Sequence, residues 1–578
     1  MLTRIEIRNF KKLKDVDIPL GKTVVFIGPN NSGKTTALQA LALWDVGMRA
    51  WNAKREGKSS PRKRPGVTIN RRDLISTPVP VANLLWHGVD VRRTKAKGGE
   101  SGMQNIRIDI SVSGVTNNKE WSCGFEFDFI NDESFVCRPL RLSEFENAPV
   151  MQANFSEIPV EASNTRFAFL PPMSGLTAEE PLLQPGRINV LIGQGQTAQV
   201  LRNLCYQIVE NDRQNKRSDW GNIASQIETL FGAKISEPVF LRDRGEITLS
   251  YKESGTLLDI SSSGRGLQQT LLLLAHLYSN PNTTLLLDEP DAHLEILRQR
   301  QTYNLLIHVA EEQGSQIIAA SHSEVVLNEA ADRDVVIAFV GKPHRIDDRG
   351  PQVLKALRDI GFDQYYQAEE TGWVLYVENS TDLAILQAFA KVLDHEAQQY
   401  LARPFVKYVE TNLPQKVRDH FFGLREAKHD LIGIAIFDRL DKELQPNGPL
   451  NELMWQRREI ENYFCTEEGL LAYARHDRPD NLFGSAREQA MIQAIAEVTK
   501  LLEIDELSPW SSDVKASDEV LDRVFKLFFK KLELPLQLRK SEYHILAGLM
   551  PKQKLDAEIT EKLDVIAAMA KKAKPRME

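Results

Sequence analysis

An α/β fold, built as two successive units and closed by a helical C-terminal region, is predicted for this 578-residue chain. Three observations predict it. The apolar run Thr23-Val-Val-Phe-Ile27 enters the loop Gly28-Pro-Asn-Asn-Ser-Gly33-Lys34-Thr35, and a helix-like stretch follows from Thr36. A second uninterrupted apolar run, Leu285-Leu-Leu287, ends on Asp288-Glu289, as a central parallel strand covered on both faces would. Alternation of strand and helix restarts at Trp373-Val-Leu-Tyr-Val377, whereas the patterns beyond residue 465 are helical.

Taken in order, residues 2–10 alternate apolar and polar side chains, and 16–20 and 23–27 supply further strands. Residues 36–51 read as the following helix, with Leu38, Leu41, Leu43 and Met48 on its packed flank and its N-terminus facing the loop. Residues 52–100 are rich in Lys, Arg, Gly and Pro, hold little periodicity and read as a basic insertion. Strands return at 106–112, 121–129 and 167–170, and a helical stretch at 194–230, interrupted near 211–216, is expected as a lobe or arm. A hairpin at 247–251 and 256–260, a leucine-rich helix at 267–278, and strands at 283–287, 316–320 and 335–340 alternating with helices at 294–312 and 324–331 complete a first domain, 1–365. A second domain, 366–480, has strands at 373–377 and 431–437 and a helix at 382–393. Helices at 467–475, 486–502, 517–530 and 553–572 lead into and fill a C-terminal region, 481–578. Such a division suits the length, since compact domains hold roughly 150 residues.

The formal net charge of −7 does not mark a polyanion binder, but charge is unevenly spread. Lys54, Arg55, Lys58, Arg62, Lys63, Arg64, Arg71 and Arg72 form one basic run, and Arg92, Arg93, Lys95 and Lys97 follow. These runs suit either nucleic-acid contact or a solvated loop. Cys123, Cys137, Cys205 and Cys465 lack paired-ligand spacing, which points to a reducing compartment and away from a zinc module. No secretory core or spanning segment of about 20 apolar residues occurs, so cytoplasmic residence without a membrane is expected.

The Gly28–Thr35 loop has the spacing of a triphosphate cradle. Glycines let the amides of Asn30, Asn31, Ser32, Gly33 and Thr36 converge on phosphate oxygens, Lys34 reaches the terminal phosphates, and Thr35 offers a magnesium ligand. Asp288 completes the Mg2+ shell, and Glu289 orients or deprotonates the attacking water. The turn Ser261-Ser-Ser-Gly-Arg-Gly266 opens a helix, so Ser263, Gly264 and Gly266 can meet the terminal phosphate of ATP held by another subunit. His322, just beyond an apolar strand, suits a phosphate sensor or a water-positioning group.

These residues together resemble the ATP-binding cassette (ABC) ATPases of the SMC and RecF type. By that resemblance Gly28–Thr35 is the Walker A loop, Asp288 and Glu289 the Walker B pair, Ser263–Gly266 the signature turn, Asp291 part of a dimer-contact loop, and His322 the switch histidine. Arg265 intrudes where a compact glycine pair is expected. The signature turn acts across subunits, which implies a homo-oligomer, at least a dimer.

A second set of acids follows. Glu378 and Asp438 each end a strand-like run, Asp382 opens a helix, and Asp441 lies shortly after Asp438. Strand ends share one edge of a parallel sheet, so Glu378 and Asp438 can meet there around a divalent ion. In Trp455-Gln-Arg-Arg-Glu-Ile-Glu461, Glu459 and Glu461 share a face if the segment is extended, and Arg457 and Arg458 can approach phosphate. The competing reading is a salt-linked surface segment. A metal held by Glu378, Asp382, Asp438, Asp441, Glu459 and Glu461 would support phosphodiester cleavage.

With these acids added, the chain resembles the overcoming-lysogenisation-defect (OLD) nucleases. In that family an ABC-type ATPase domain precedes a Toprim α/β nuclease domain, and its members include the large protein of the Gabija antiphage system and some retron effectors. Glu378 matches the family's first glutamate, Asp382 its helix-start acid, Asp438 the first acid of its paired-aspartate motif and Glu461 the later glutamate. Leu440 occupies the second acidic position and Asp441 falls one residue later, so either Asp441 substitutes or one metal position is weakened. The resemblance implies an ATP-regulated DNA endonuclease of prokaryotic antiphage defence. ATP, Mg2+ or Mn2+, and double-stranded DNA are then its ligands, with a retron RNA–DNA or a second defence protein as partner. A non-cleaving, ATP-driven nucleic-acid clamp or sensor and an RNA-cleaving toxin are the alternatives.

Overall fold

A computed structural model describes residues 1–55, 66–97, 100–141, 157–215, 218–253, 255–331, 333–346, 360–409, 413–441, 444, 448–476 and 482–576. The chain separates into two compact units, Met1–Leu354 and Lys355–Glu578. The stretch 347–359 around that division lies outside the described residues, as do Lys58, Arg62, Lys63 and Arg64 of the first basic run.

The first unit carries two six-stranded sheets. Strands β1 (Leu2–Phe10), β2 (Leu13–Pro19) and β3 (Thr23–Ile27) lead into helix α1 (Lys34–Arg55). Next come β4 (Val67–Asn70), β5 (Arg92–Lys97), β6 (Glu100–Asn105), β7 (Ile108–Thr116), β8 (Lys119–Asn131), β9 (Ser134–Pro139) and β10 (Phe167–Leu170). β11 (Lys234–Ile235), β12 (Val239–Leu241), β13 (Glu246–Thr248), β14 (Ser250–Glu253) and β15 (Thr256–Asp259) are short. β16 (Thr284–Asp288), β17 (Gln316–Ser321), β18 (Val335–Ala338) and β19 (His344–Arg345) complete the unit.

One sheet runs β2-β1-β7-β8-β9-β4 and is antiparallel. The other runs β10-β16-β17-β3-β18-β19 and is parallel except for β19. Helix α1 packs with both sheets in one core, through Leu38, Leu41 and Trp44, and the Trp44 indole N–H donates to Cys123 O at 2.9 Å. The period-two alternation of a strand sorts the residues of the parallel sheet. Leu286 and Ile318 belong to the α1 core, whereas Leu285, Leu287 and Ile317 belong to the core on the opposite face.

The stretch read as an irregular basic insertion is partly sheet. β4 pairs with β9, and β5 pairs with β6 in a separate hairpin. The expected lobe or arm at 194–230 is instead a packed layer. Helices Leu201–Asn215 and Asp219–Phe231 bury Cys205, Ile208, Ile223 and Ile227 in the same core as Leu271 and Leu285. Their apolar faces are too wide to stand free in water.

The second unit is built on β20 (Trp373–Val377), β21 (Val406–Tyr408), β22 (Ile432–Phe437) and β23 (Leu450–Met454), all parallel, in the order β21-β20-β22-β23. Helix Ser380–Leu393 covers the sheet through Ile385 and Phe389. The C-terminal helices share that core: Phe525, Phe528 and Ile566 cluster with Leu375 and Ile434. Among the described residues, no helix is long and apolar enough to cross a membrane.

Candidate functional site

In the first unit, parallel pairing brings three chain segments to one sheet edge. β17 lies between β16 and β3, with Asp288 opposite Ala320 and Ser321 opposite Ile27. The Gly28 loop, Asp288-Glu289 and His322 therefore leave the sheet side by side, at the strand ends where ligands bind in such sheets.

The loop requires its glycines. Gly33 has φ 105°, a left-handed conformation, and a Cβ on Gly28 would approach Phe339 O to 2.8 Å. Lys34 is buried, and its ammonium donates to Gly28 O (2.7 Å) and Pro29 O (2.9 Å), closing the loop on itself. Burial lowers its pKa, against the opposing pull of Glu289, Asp288 and Asp291. Thr35 Oγ1 donates to Asp288 Oδ1 at 3.0 Å. Burial pushes Asp288 up to about 6, with the Thr35 bond acting the other way. Glu289 takes a left-handed φ of 50°, its N–H donates to Ala320 O at 2.8 Å, and its carboxylate stands 3.9 Å from His322 Nδ1.

These residues fit a magnesium-bound triphosphate. Ser32 Oγ is buried without a hydrogen-bond partner beside amides that lead into α1, and such an orphan calls for a ligand oxygen. Asn30 and Asn31 are exposed at the loop mouth. Thr36 lies in the first turn of α1. Thr35 and Asp288, hydrogen-bonded to each other, are the pair that would hold a magnesium ion. The serine–glycine turn precedes helix Arg265–Ser279, whose N-terminus at Gly264 carries no side-chain cap. A Cβ added at Gly264 would meet nothing within 4 Å, and Gly266 approaches Leu294 and His293.

In the second unit, Glu378 follows β20 and Asp438 follows β22, which are adjacent parallel strands. Asp382, in the first turn of the next helix, accepts from Glu378 N–H at 3.0 Å through Oδ2. Burial pushes Asp382 up to about 6, and the Glu378 charge adds to it. Asp438 is pushed up to about 9 by burial first, then by Glu378, Asp382, Glu461 and Glu459. Glu461, almost wholly buried, rises to about 8 through burial and the charges of Glu459 and Asp382. Glu459 is also raised by burial. Five acids from three segments thus share one electrostatic neighbourhood.

Several expectations at this centre are corrected. The segment carrying Glu459 and Glu461 is not extended; Ile460–Tyr463 forms a 3-10 turn with Glu459 at its N-cap. Asn462 causes this, since its Oδ1 accepts from Glu459 N–H (3.1 Å) while its Nδ2 donates to Val514 O (2.9 Å). Asp441 is exposed to solvent, outside the buried set. Arg457 pairs with Asp556 at 3.2 Å and lies over the Tyr463 ring. Arg458 is exposed.

Among the described residues, no group of three or more His, Cys, Asp or Glu is drawn together closely enough to hold a metal ion. The carboxylates are occupied in part by backbone: Asp382 bonds Glu378 N–H, and Glu459 Oε1 accepts from Ser517 N–H at 2.5 Å. The donor set is all oxygen, which suits Mg2+ or Mn2+.

Sequence reasoning missed Lys515 and Lys540. Both come from the C-terminal helical region and oppose the Glu459 charge. Lys540 Nζ donates to Ser517 Oγ at 3.1 Å, on the same residue whose N–H bonds Glu459. Their only signal is a basic residue far along the chain, and no local pattern links it to the acids.

Comparison with known proteins matches residues 1–45 to an AAA ATPase domain. Residues 204–328 match the family "AAA domain, putative AbiEii toxin, Type IV TA system". An OLD nuclease of Thermus scotoductus (strain ATCC 700910 / SA-01) is 49% identical over 43 residues, which are 7% of this chain and 8% of that protein. Among solved structures, the SMC head domain from Thermotoga maritima has a TM-score of 0.30 at 13% identity, covering 60% of this chain and 98% of that one. The Smc head domain with an extended coiled coil, bound to the C-terminal domain of ScpA from Pyrococcus furiosus, has a TM-score of 0.34 at 15% identity, covering 62% and 99%. Two stretches of the first unit thus match models of AAA ATPase domains, mixed α/β structure and a C-terminal helical region follow, and 43 residues are similar to an OLD nuclease.

Proposed function

We propose that this protein is an ATP-regulated, divalent-metal-dependent DNA endonuclease of prokaryotic antiphage defence, with an OLD-like pairing of ABC-type ATPase and Toprim domains. The observation that carries the nuclease reading is the placement of Glu378, Asp382 and Asp438 at the ends of adjacent parallel strands, with Glu459 and Glu461 adding to the charge around Asp438. Acids that bind protons this strongly are held in a setting that a divalent cation neutralises better than solvent does. The short OLD homology supports the same class.

At the ATPase site, Lys34 gives up its carbonyl partners to hold the terminal phosphates, Thr35 and Asp288 hold magnesium, and Glu289 orients the attacking water. His322 sits within reach of Glu289 to report the terminal phosphate. Ser263, Gly264 and Gly266 complete the nucleotide site of a second copy, so the working form is at least a dimer. The carboxylate centre would take Mg2+ or Mn2+ and through it supply an activated water and charge neutralisation at the phosphodiester. Glu378, Asp438 and Glu461 hold the ions there, Asp382 and Glu459 steady the two backbone turns, and Lys515 and Lys540 receive the nucleic-acid backbone. ATP binding controls access to this centre. A retron RNA–DNA or a second defence protein supplies the trigger.

Supercoiled DNA and RNA incubated with the protein, with and without ATP and each metal, test this reading. Metal-dependent nicking lost in Glu378→Ala and Glu461→Ala and retained in Lys34→Ala is expected. The exposed Asp441 favours one second reading, a clamp whose weakened metal site binds without cutting. DNA binding without cleavage under every condition would select it, and cleavage of RNA alone would select a toxin.

A further inference from the structure

The serine–glycine turn protrudes, and little covers it. Strand β15 before it is an edge strand with Leu257 65% exposed, and Gly264 stands in open space. Two polar groups nonetheless hold it, the partly exposed Asp259 and the buried Gln268. At its start, Asp259 Oδ1 accepts from Ser261 N–H (2.9 Å) and Ser261 Oγ (2.7 Å). The same oxygen accepts from Arg202 Nη2 at 2.9 Å. At its end, Gln268 Nε2 donates to Ile260 O (3.1 Å) and Ser263 O (3.0 Å), tying the turn to its own helix.

Arg202 is only 1% exposed, an unusual burial for a guanidinium. It is fixed on its other side by Thr177 O at 3.0 Å and faces Glu180 at 3.9 Å. Glu180 in turn accepts from Arg202 N–H (2.9 Å), Asn203 N–H (2.6 Å) and Asn203 Nδ2 (2.7 Å). The charge that reaches Asp259 is therefore anchored in the core, at the start of helix Leu201–Asn215. A planar fork held on several sides fixes an acceptor's position as well as its charge.

We propose that Arg202 and Asp259 are positioning residues for the ATPase: the buried guanidinium sets the Asp259 carboxylate, which sets the serine–glycine turn in the orientation needed for ATP hydrolysis. This rests on the reading of that turn as a nucleotide contact. ATP itself is held by the Gly28 loop, so the pair governs turnover and leaves nucleotide affinity alone.

The test is ATP hydrolysis by the full-length protein, with nucleotide affinity and melting temperature measured on the same samples. Asp259→Ala is expected to lower kcat about tenfold with little change in ATP affinity, because a displaced turn costs turnover. Asp259→Asn keeps an oxygen for Ser261 and Arg202 and is expected to recover most of that loss. Gly264→Asp has room to fold and sets a negative charge against the phosphate, so it separates the two claims. If Gly264→Asp abolishes hydrolysis while Asp259→Ala leaves kcat unchanged, the positioning proposal fails and the turn's role stands. If Gly264→Asp leaves hydrolysis unchanged, the turn is no nucleotide contact and the proposal falls with it. Equal losses of kcat and melting temperature in Asp259→Ala and Asp259→Asn would assign the pair to folding alone and overturn it.

Discussion

Glu378 and Asp438 follow adjacent parallel strands, and after burial the Glu378 charge is the strongest influence keeping Asp438 protonated. Two residues far apart in sequence are thereby brought to one sheet edge by strand register.

That coupling sets a pH dependence. The carboxyls of Asp438 and Glu461 titrate near 4 in an unfolded chain, whereas folding raises them to about 9 and about 8. The folded state then binds more protons between those limits, so metal-free stability falls as pH rises from about 4 toward 9. Mg2+ displaces those protons, so its stabilising effect grows over the same range. Melting curves at pH 6 and pH 8.5, with and without Mg2+, check this: a larger Mg2+-induced rise is expected at pH 8.5.

Asp438→Asn removes the carboxyl that must take up a proton on folding, while keeping the shape of the side chain. At pH 8 without metal it is expected to stabilise the fold by about 1 kcal/mol or more, since that proton uptake no longer opposes folding. Chemical denaturation measures the gain, and the nuclease reading requires cleavage to be lost in the same variant.

Lys34→Ala removes the only side chain of the Gly28 loop that bonds Gly28 O and Pro29 O. ATP affinity is expected to fall by about a hundredfold or more, as loss of a buried charge-assisted contact implies. The melting temperature is expected to fall only slightly, because Pro29 O is at the exposed loop mouth and Gly28 O alone loses a partner in a buried setting. Equilibrium binding of a fluorescent ATP analogue checks the first point and calorimetry the second.

Glu558 belongs to the helix Ala557–Lys572 yet clamps the turn that carries Glu459 and Glu461. It accepts from Gln456 N–H at 3.1 Å and from the Tyr463 hydroxyl. Glu558→Ala leaves the buried Tyr463 hydroxyl and the part-buried Gln456 N–H without this acceptor and is expected to cost about 1–3 kcal/mol of stability, the scale for orphaned buried polar groups. Urea denaturation reads the loss. A lower metal affinity in the still-folded variant would show that the helix also sets the acids.

The parallel sheet was legible because its strands are short, apolar and closed by chemistry-bearing residues. Leu285-Leu-Leu287 before Asp288 could be placed from period and termination alone, and the structure has β16 there. The segment Glu459-Ile-Glu461 misled for the same reason: its alternation mimics a strand, and only the tertiary bonds of Asn462 to Val514 and Ser511 fold it into a turn. The helices from Leu201 to Phe231 showed their amphipathic pattern but not the sheet face that buries it. Lys515 and Lys540 were illegible, because an exposed lysine gains a role only from what folding places beside it.

Titration of Mn2+ into nucleotide-free Lys34→Ala protein, and into the same protein carrying Asp438→Asn, tests the shared carboxylate centre most directly. Binding in the first protein and its loss in the second is the expected result. Equal binding in both, or none in either, would contradict a divalent-ion site built on Glu378, Asp438 and Glu461.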